Sequence, residues 1–166
     1  VLNGLSRALV DAAMAEQTRA MSSSLHTYLV SNREKQIACA FEIYRKMVDA
    51  RDDRVGRLKS KLRNFEIFEA PHVAYICMAK SFGIGVALDV GMYVQTLMLA
   101  MQSRGIGSCA QAALRAFPDL AAKHLGIPDD EQILCGLSFG YEDPNVLANK
   151  ARQPRDPVES NVVFRG

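Results

Sequence analysis

Residues able to do side-chain chemistry are sparse in this chain of 166 residues, and their spacing excludes more than it supports. His26, His72 and His124 stand far apart, and Cys39, Cys77, Cys109 and Cys135 form no C-x-x-C pair. Zinc sites and disulfide frameworks need closely paired ligands, so no metal is expected and the thiols read as free, buried groups suited to a reducing cytoplasm. No nucleophilic triad, paired-carboxylate site or phosphate-loop signature is present. Gly83–Gly85 and Gly105–Gly107 are isolated G-x-G pieces, and neither follows a strand and opens a helix within the spacing a dinucleotide fold needs. Both read as turns. The second opens the run GIGSCAQAAL, which reads as a helix end, a glycine turn and a new helix from about Ala110 to Ala116. The first N–H groups of a helix have no partner within it and can point at an electron-rich ligand atom. The chemistry suggested is therefore that of the backbone.

The elements that must carry this bend belong to a chain of one-domain length, 49% hydrophobic and 23% charged, with a net charge of +2. So mild a charge argues against a nucleic-acid partner. The basic series Arg51, Arg54, Arg57, Lys59, Lys61 and Arg63 is interspersed with Asp52, Asp53, Glu66 and Glu69, and a solvated helix face explains it. The longest apolar stretch, DVGMYVQTLMLAM, is broken by Asp89 and Gln95 and is shorter than the roughly 20 residues that cross a bilayer, so no membrane span is expected.

The opening VLNG reads as the end of a strand and its turn, so the N-terminus is expected to be incomplete. A helix is then expected from Leu5 to about Met21, and a second from a capping box of Ser31 and Glu34, with an apolar stripe of Ile37, Phe41, Tyr44 and Met47 or Val48. A further helix should run to about Phe65, with Gly56 a weak point and Pro71 a stop. Val73–Met78 and Gln132–Tyr141 read as buried strands. Between them Asp89 can cap, and Gly105 can end, a helix that is apolar nearly all round and needs cover on several sides, part of it from a second subunit. A short helix from Pro118 to Leu125 ends at Gly126. From 143 to 166 the prolines Pro144, Pro154 and Pro157 and a terminal VVF indicate an extended arm of the kind that lies along another subunit. The expected class is α+β, a single domain over 1–166 with a mixed sheet flanked by helices.

In order and without large gaps, about Leu5 to Phe164 resembles the C-terminal two thirds of a nitroreductase-family protein. The likeness is strongest in DVGMYVQTLMLAMQSRGIGSC, in LGIPDDEQILCGLSFGYEDP and in the Arg-x-Pro tail. The resemblance implies an obligate homodimer with FMN, hydride transfer from NAD(P)H to flavin N5, and onward transfer to a nitroaromatic, quinone or similar small acceptor. It implies no catalytic side chain. The backbone N–H groups of Gln111 and Ala112 would lie near N5 and O4, with Ser108, Cys109 and Ala110 adjoining the ring. It also places Lys150, Arg152 and Arg155 on the FMN phosphate; taken by themselves these three are a solvated arm. The family's N-terminal segment, with an Arg-Ser-x-Arg-like stretch, has no counterpart here. The alternative is thus a non-catalytic or weakly flavin-binding dimeric paralogue.

Overall fold

A computed structural model describes residues 2–17, 30–47, 53–160 and 162–165. Two compact units divide the chain, one formed by Val1–Ser22 with Arg54–Glu142 and the other by Ser23–Asp53 with Asp143–Gly166.

In the first unit, strands β1 (His72–Ala79), β2 (Ile106–Gln111) and β3 (Glu131–Tyr141) form an antiparallel sheet in the order β1-β3-β2. β1 and β3 lie where their β-branched and aromatic runs predict them. A shift of register between Ile76 and Cys77 interrupts their pairing. β3 is central and carries the fully buried Leu137. The β1 and β3 face bearing Val73, Tyr75 and Ile133 is packed by Leu5 and Leu9 of helix α1 (Leu2–Gln17), by Leu114 and by Ala121 of helix α5 (Pro118–Leu125). Leu5 and Leu9 are four apart, hence on one helical stripe. Phe65 and Phe117 add a tilted ring pair with centroids 5.6 Å apart. α1 begins at Leu2, so the opening residues are its first turn and not the end of a strand.

Two further sequence expectations are corrected here. The apolar helix, α4, spans Ile84–Gln102, so Asp89 lies inside it and exposed, and Gly83 stands at its N-cap. At 19 residues, about 28 Å at roughly 1.5 Å per residue, α4 is long and apolar enough to cross a membrane by length and composition alone. Val94 is its buried residue, whereas Ile84 is 90%, Leu88 65% and Met92 56% exposed. Those three follow one stripe, i, i+4 and i+8, left uncovered among the described residues. The second correction concerns GIGSCAQAAL. Gly105 does adopt the left-handed conformation (φ 73°), but the chain beyond it is β2. The helix expected from Ala110 is reduced to a 3₁₀ turn, Ala112–Arg115. Six consecutive residues of β2 pair with Tyr141 back to Gly136, and that sheet pairing overrides the helix preference of alanine.

Helix α3 (Arg54–Leu62) is followed by a segment the sequence does not announce. Ile67, Phe68 and Glu69 have φ of 51°, 54° and 62°, a left-handed turn built without glycine. For L-residues this conformation costs about 1–2 kcal/mol each. Backbone bonds hold it: Phe68 N–H donates to Arg63 O (2.9 Å), Glu69 N–H to Glu66 O (3.0 Å) and Ala70 N–H to Ile67 O (3.1 Å). Ile67 meanwhile packs against the core.

The second unit consists of helix α2 (Val30–Met47) and the chain beyond Asp143. α2 packs on the 3₁₀ turn Leu147–Lys150, and Lys35 pairs with Asp156. α2 starts one residue ahead of the expected cap, Ser31. Of its expected apolar stripe Ile37 and Phe41 are exposed, and Val48 lies outside the described residues. Apart from the turns Leu147–Lys150 and Val158–Ser160 the arm is irregular, with Val163 and Phe164 exposed at its end.

Candidate functional site

Ala110 and Gln111, expected at the start of a helix, lie with Ser108 and Cys109 in an edge strand instead, and this changes the source of open donors. In an antiparallel ladder only alternate residues bond to the neighbouring strand, so an edge strand presents its remaining N–H and C=O groups outward. β2 pairs with β3 on one side and is the last strand of the sheet on the other. Cys109, Ala110 and Ala112 are exposed there and Ser108 is half-buried. Backbone donors are thus offered by a sheet edge running into a 3₁₀ turn, next to small side chains that let a flat ligand approach closely. Partial desolvation by its neighbours pushes the Cys109 thiol above its usual range, so it is protonated at neutral pH and gives the surface no charge.

Gln111 differs from its neighbours. Its side chain turns inward and is 3% exposed, as is that of Ser138 on β3. The Ser138 hydroxyl donates to Gln111 Oε1, and Gln111 Nε2 donates to the backbone carbonyl of Asn64 at 3.0 Å, with Asn64 Oδ1 at 3.5 Å. Asn64 O also accepts from Ile67 N–H at 3.2 Å, at the entrance to the left-handed turn. The buried amide is satisfied at both ends, as a polar group away from water must be. Ser138 and Asn64 are missed by sequence reasoning. Ser138 was visible as a lone serine within the apolar run ILCGLSFGY.

The tail cations belong to the second unit. Lys150, Arg152 and Arg155 are all exposed. Arg152 Nη1 donates to Asn149 O (2.7 Å) and Ala151 O (2.8 Å), which fixes the guanidinium and leaves its other N–H groups for an anion. Arg155 Nη1 reaches Gln153 O at 3.4 Å. Between the two arginines, Gln153 Nε2 is shielded from water without a hydrogen-bond partner among the described residues. Two exposed guanidinium groups and an exposed ammonium on one short segment are the kind of cationic donors that suit a phosphate. Each unit thus carries its own chemistry: the first offers open edge donors beside small side chains, of a kind that suits a flat ring, and the second offers exposed cations, of a kind that suits a phosphate. Among the described residues no three His, Cys, Asp or Glu gather as metal ligands.

Comparison with known proteins agrees with the resemblance found in the sequence. The family model described as "Nitroreductase family" matches residues 5–141. The 4-nitrobenzoate reductase of Pseudomonas putida is 34% identical over 119 residues, 72% of this chain and 52% of that protein. Nitroreductase NfnB of Mycolicibacterium smegmatis is 34% identical over 132 residues, 80% of this chain and 56% of that protein. The chain thus spans about half the length of these relatives. Among solved structures, the FMN-dependent nitroreductase NfnB from Mycobacterium smegmatis in complex with NADPH superposes with a TM-score of 0.87 at 30% identity, over 99% of this chain and 74% of that one. With α+β architecture, family match and superposition in agreement, the chain belongs to the nitroreductase family.

Proposed function

We propose that this chain is part of a homodimeric, FMN-dependent oxidoreductase that takes hydride from NAD(P)H and delivers it to a nitroaromatic, quinone or similar small acceptor in the cytoplasm. When bound, the flavin supplies the redox chemistry, accepting hydride at N5 and passing it on. The protein's part is to bind, orient and tune. Outward N–H groups at Gln111 and Ala112 hydrogen-bond the electron-rich edge of the ring. Ser108, Cys109 and Ala110 line it with small, uncharged groups. Lys150, Arg152, Arg155 and the orphaned Gln153 amide neutralise and hold a phosphate. The uncovered stripe Ile84, Leu88 and Met92 of α4 is where a second copy packs, because a monomer does not ordinarily leave so continuous an apolar face in water.

The observation that carries this reading is the superposition on an FMN-dependent, NADPH-complexed relative over 99% of the chain, together with the outward-facing edge of β2. Titration of the purified protein with FMN, followed by NADPH oxidation with 4-nitrobenzoate as acceptor, tests it. Flavin absorbance retained by the protein and acceptor-dependent oxidation are expected. The Arg152→Ala, Arg155→Ala double variant should bind FMN about tenfold or more weakly while remaining dimeric, since each charge-assisted contact contributes roughly 1.5–3 kcal/mol before solvent screening. A colourless protein that FMN does not reconstitute overturns the reading in favour of a non-catalytic dimeric paralogue.

A further inference from the structure

We infer that the side chain of Gln111 is a positioning residue for the flavin-facing backbone, acting through Ser138 and Asn64; the inference rests on the flavin reading above. Three observations lead to it. First, Gln111 is the last residue of β2, with φ −123° and ψ 101°, and the chain turns into the 3₁₀ segment at Ala112. The direction of the Gln111 and Ala112 N–H groups is set at this one joint. Second, β2 is an edge strand held by the sheet on one side only, and edge strands open more readily than central ones. Third, the buried amide of Gln111 ties this joint to two separate places, the centre of the sheet through Ser138 and the turn after α3 through the Asn64 carbonyl. Asn64 O is shared with the first N–H of the left-handed turn, whose own hydrogen bonds fix its position.

The chemistry needs such a tether. Backbone donors tune a ring only if they stay aimed at it when the electron density of the ring changes, and preorganised donors act without reorganising. The small residues that allow close approach, Cys109, Ala110 and Ala112, provide no large side chain to anchor the segment. Gln111 supplies the anchor from the opposite face.

The test uses the full chain, with and without FMN, carrying Ser138→Ala, with Ser138→Thr as the conservative rescue and wild type as reference. Hydrogen–deuterium exchange is read on flavin-free protein, FMN affinity by quenching of flavin fluorescence, and the midpoint potential of the bound flavin by dye-equilibrated titration. Ser138→Ala should speed exchange of the amides at 109–112 while leaving those of β1 unchanged, weaken FMN binding about tenfold, as expected for one buried acceptor left unsatisfied, and shift the midpoint potential. Ser138→Thr should restore all three. If Ser138→Ala lowers the melting temperature but leaves local exchange, affinity and potential as in wild type, Ser138 merely supports the fold and the inference is overturned. A wild-type chain that leaves FMN fluorescence unquenched overturns the flavin reading, and the inference with it, whereas altered affinity and potential without faster exchange at 109–112 overturn the tether alone.

Discussion

Gly136 on β3 is the position where a single methyl group should do the most damage near the candidate site. A Cβ built there would lie 2.3 Å from Leu114 Cδ1 and 3.1 Å from both Leu114 Cβ and Cγ. Leu114 is fully buried and belongs to the 3₁₀ turn that follows β2, so it cannot swing out into solvent. Gly136→Ala therefore forces either a strained leucine rotamer or displacement of the turn, a type of overpacking that costs about 1–3 kcal/mol. For a chain of this size each kcal/mol lowers the melting temperature by roughly 2–4 °C, so a drop on the order of 2–12 °C is expected by differential scanning fluorimetry. Leu114→Ala alone opens a cavity and should cost about 2–5 kcal/mol. In the double variant the new methyl occupies part of the space the leucine vacates, so the two losses should add to less than their sum. Urea denaturation of all four proteins closes the cycle. Additivity within about 0.5 kcal/mol would show that the two side chains do not meet, and would refute the packing of the turn over β3 on which the placement of Ala112 depends.

Two further outcomes follow from surface and charge. Leu88→Glu with Met92→Glu should convert the proposed dimer to monomer on size-exclusion chromatography with light scattering, since each places a carboxylate on the uncovered stripe of α4; a dimer that persists in the variant would put the interface elsewhere. Burial pushes up the thiols of Cys109, Cys77 and Cys135 and the phenol of Tyr75. At Cys77 the negative charges of Glu131 and Cys135 add to the effect, and at Cys135 Arg115 opposes it. Folding thus favours the protonated forms. Their contribution is whole below the unfolded values, 9.0 for the thiols and 10.0 for the phenol, and is lost as pH rises through the higher folded values. Urea midpoints should fall above pH 9.0, and Cys77→Ala should flatten part of that fall; a midpoint constant to pH 11 would contradict the assignment.

What could be read in the sequence was whatever a segment decides for itself. β1 and β3 are β-branched, aromatic runs bounded by turn residues, and α5 has proline at its start and a left-handed glycine, Gly126, after its end. β2 decides nothing for itself. IGSCAQ has one β-branched residue and several small ones, and it becomes a strand because β3, remote along the chain, offers it an open side. α4 begins five residues before Asp89 because glycines at 85 and 91 are tolerated within an otherwise strongly apolar helix. In the candidate site, Ser108–Ala112 drew attention as backbone donors at a helix start, whereas the structure places them in an edge strand and the 3₁₀ turn after it. The inward amide of Gln111 was hidden because its partners, Asn64 and Ser138, are remote in sequence. The tail cations carried no local signal beyond charge, and the resemblance to the family singled them out.

The left-handed turn at Ile67–Glu69 inverts the ordinary logic of substitution. At most positions of a folded chain, exchange of a large residue for glycine or asparagine loosens the structure, yet here those two residues are the ones whose backbones accept the observed angles with least resistance. Tolerance should therefore run opposite to side-chain size at exposed Glu69, while Ile67 is pulled both ways, its backbone favouring glycine and its place in the core favouring isoleucine. A variant library drawn from average exchange tables would misjudge this stretch. The segment that looks most ordinary in letters, IFE, is the one where the usual chemical similarities between residues stop being a guide.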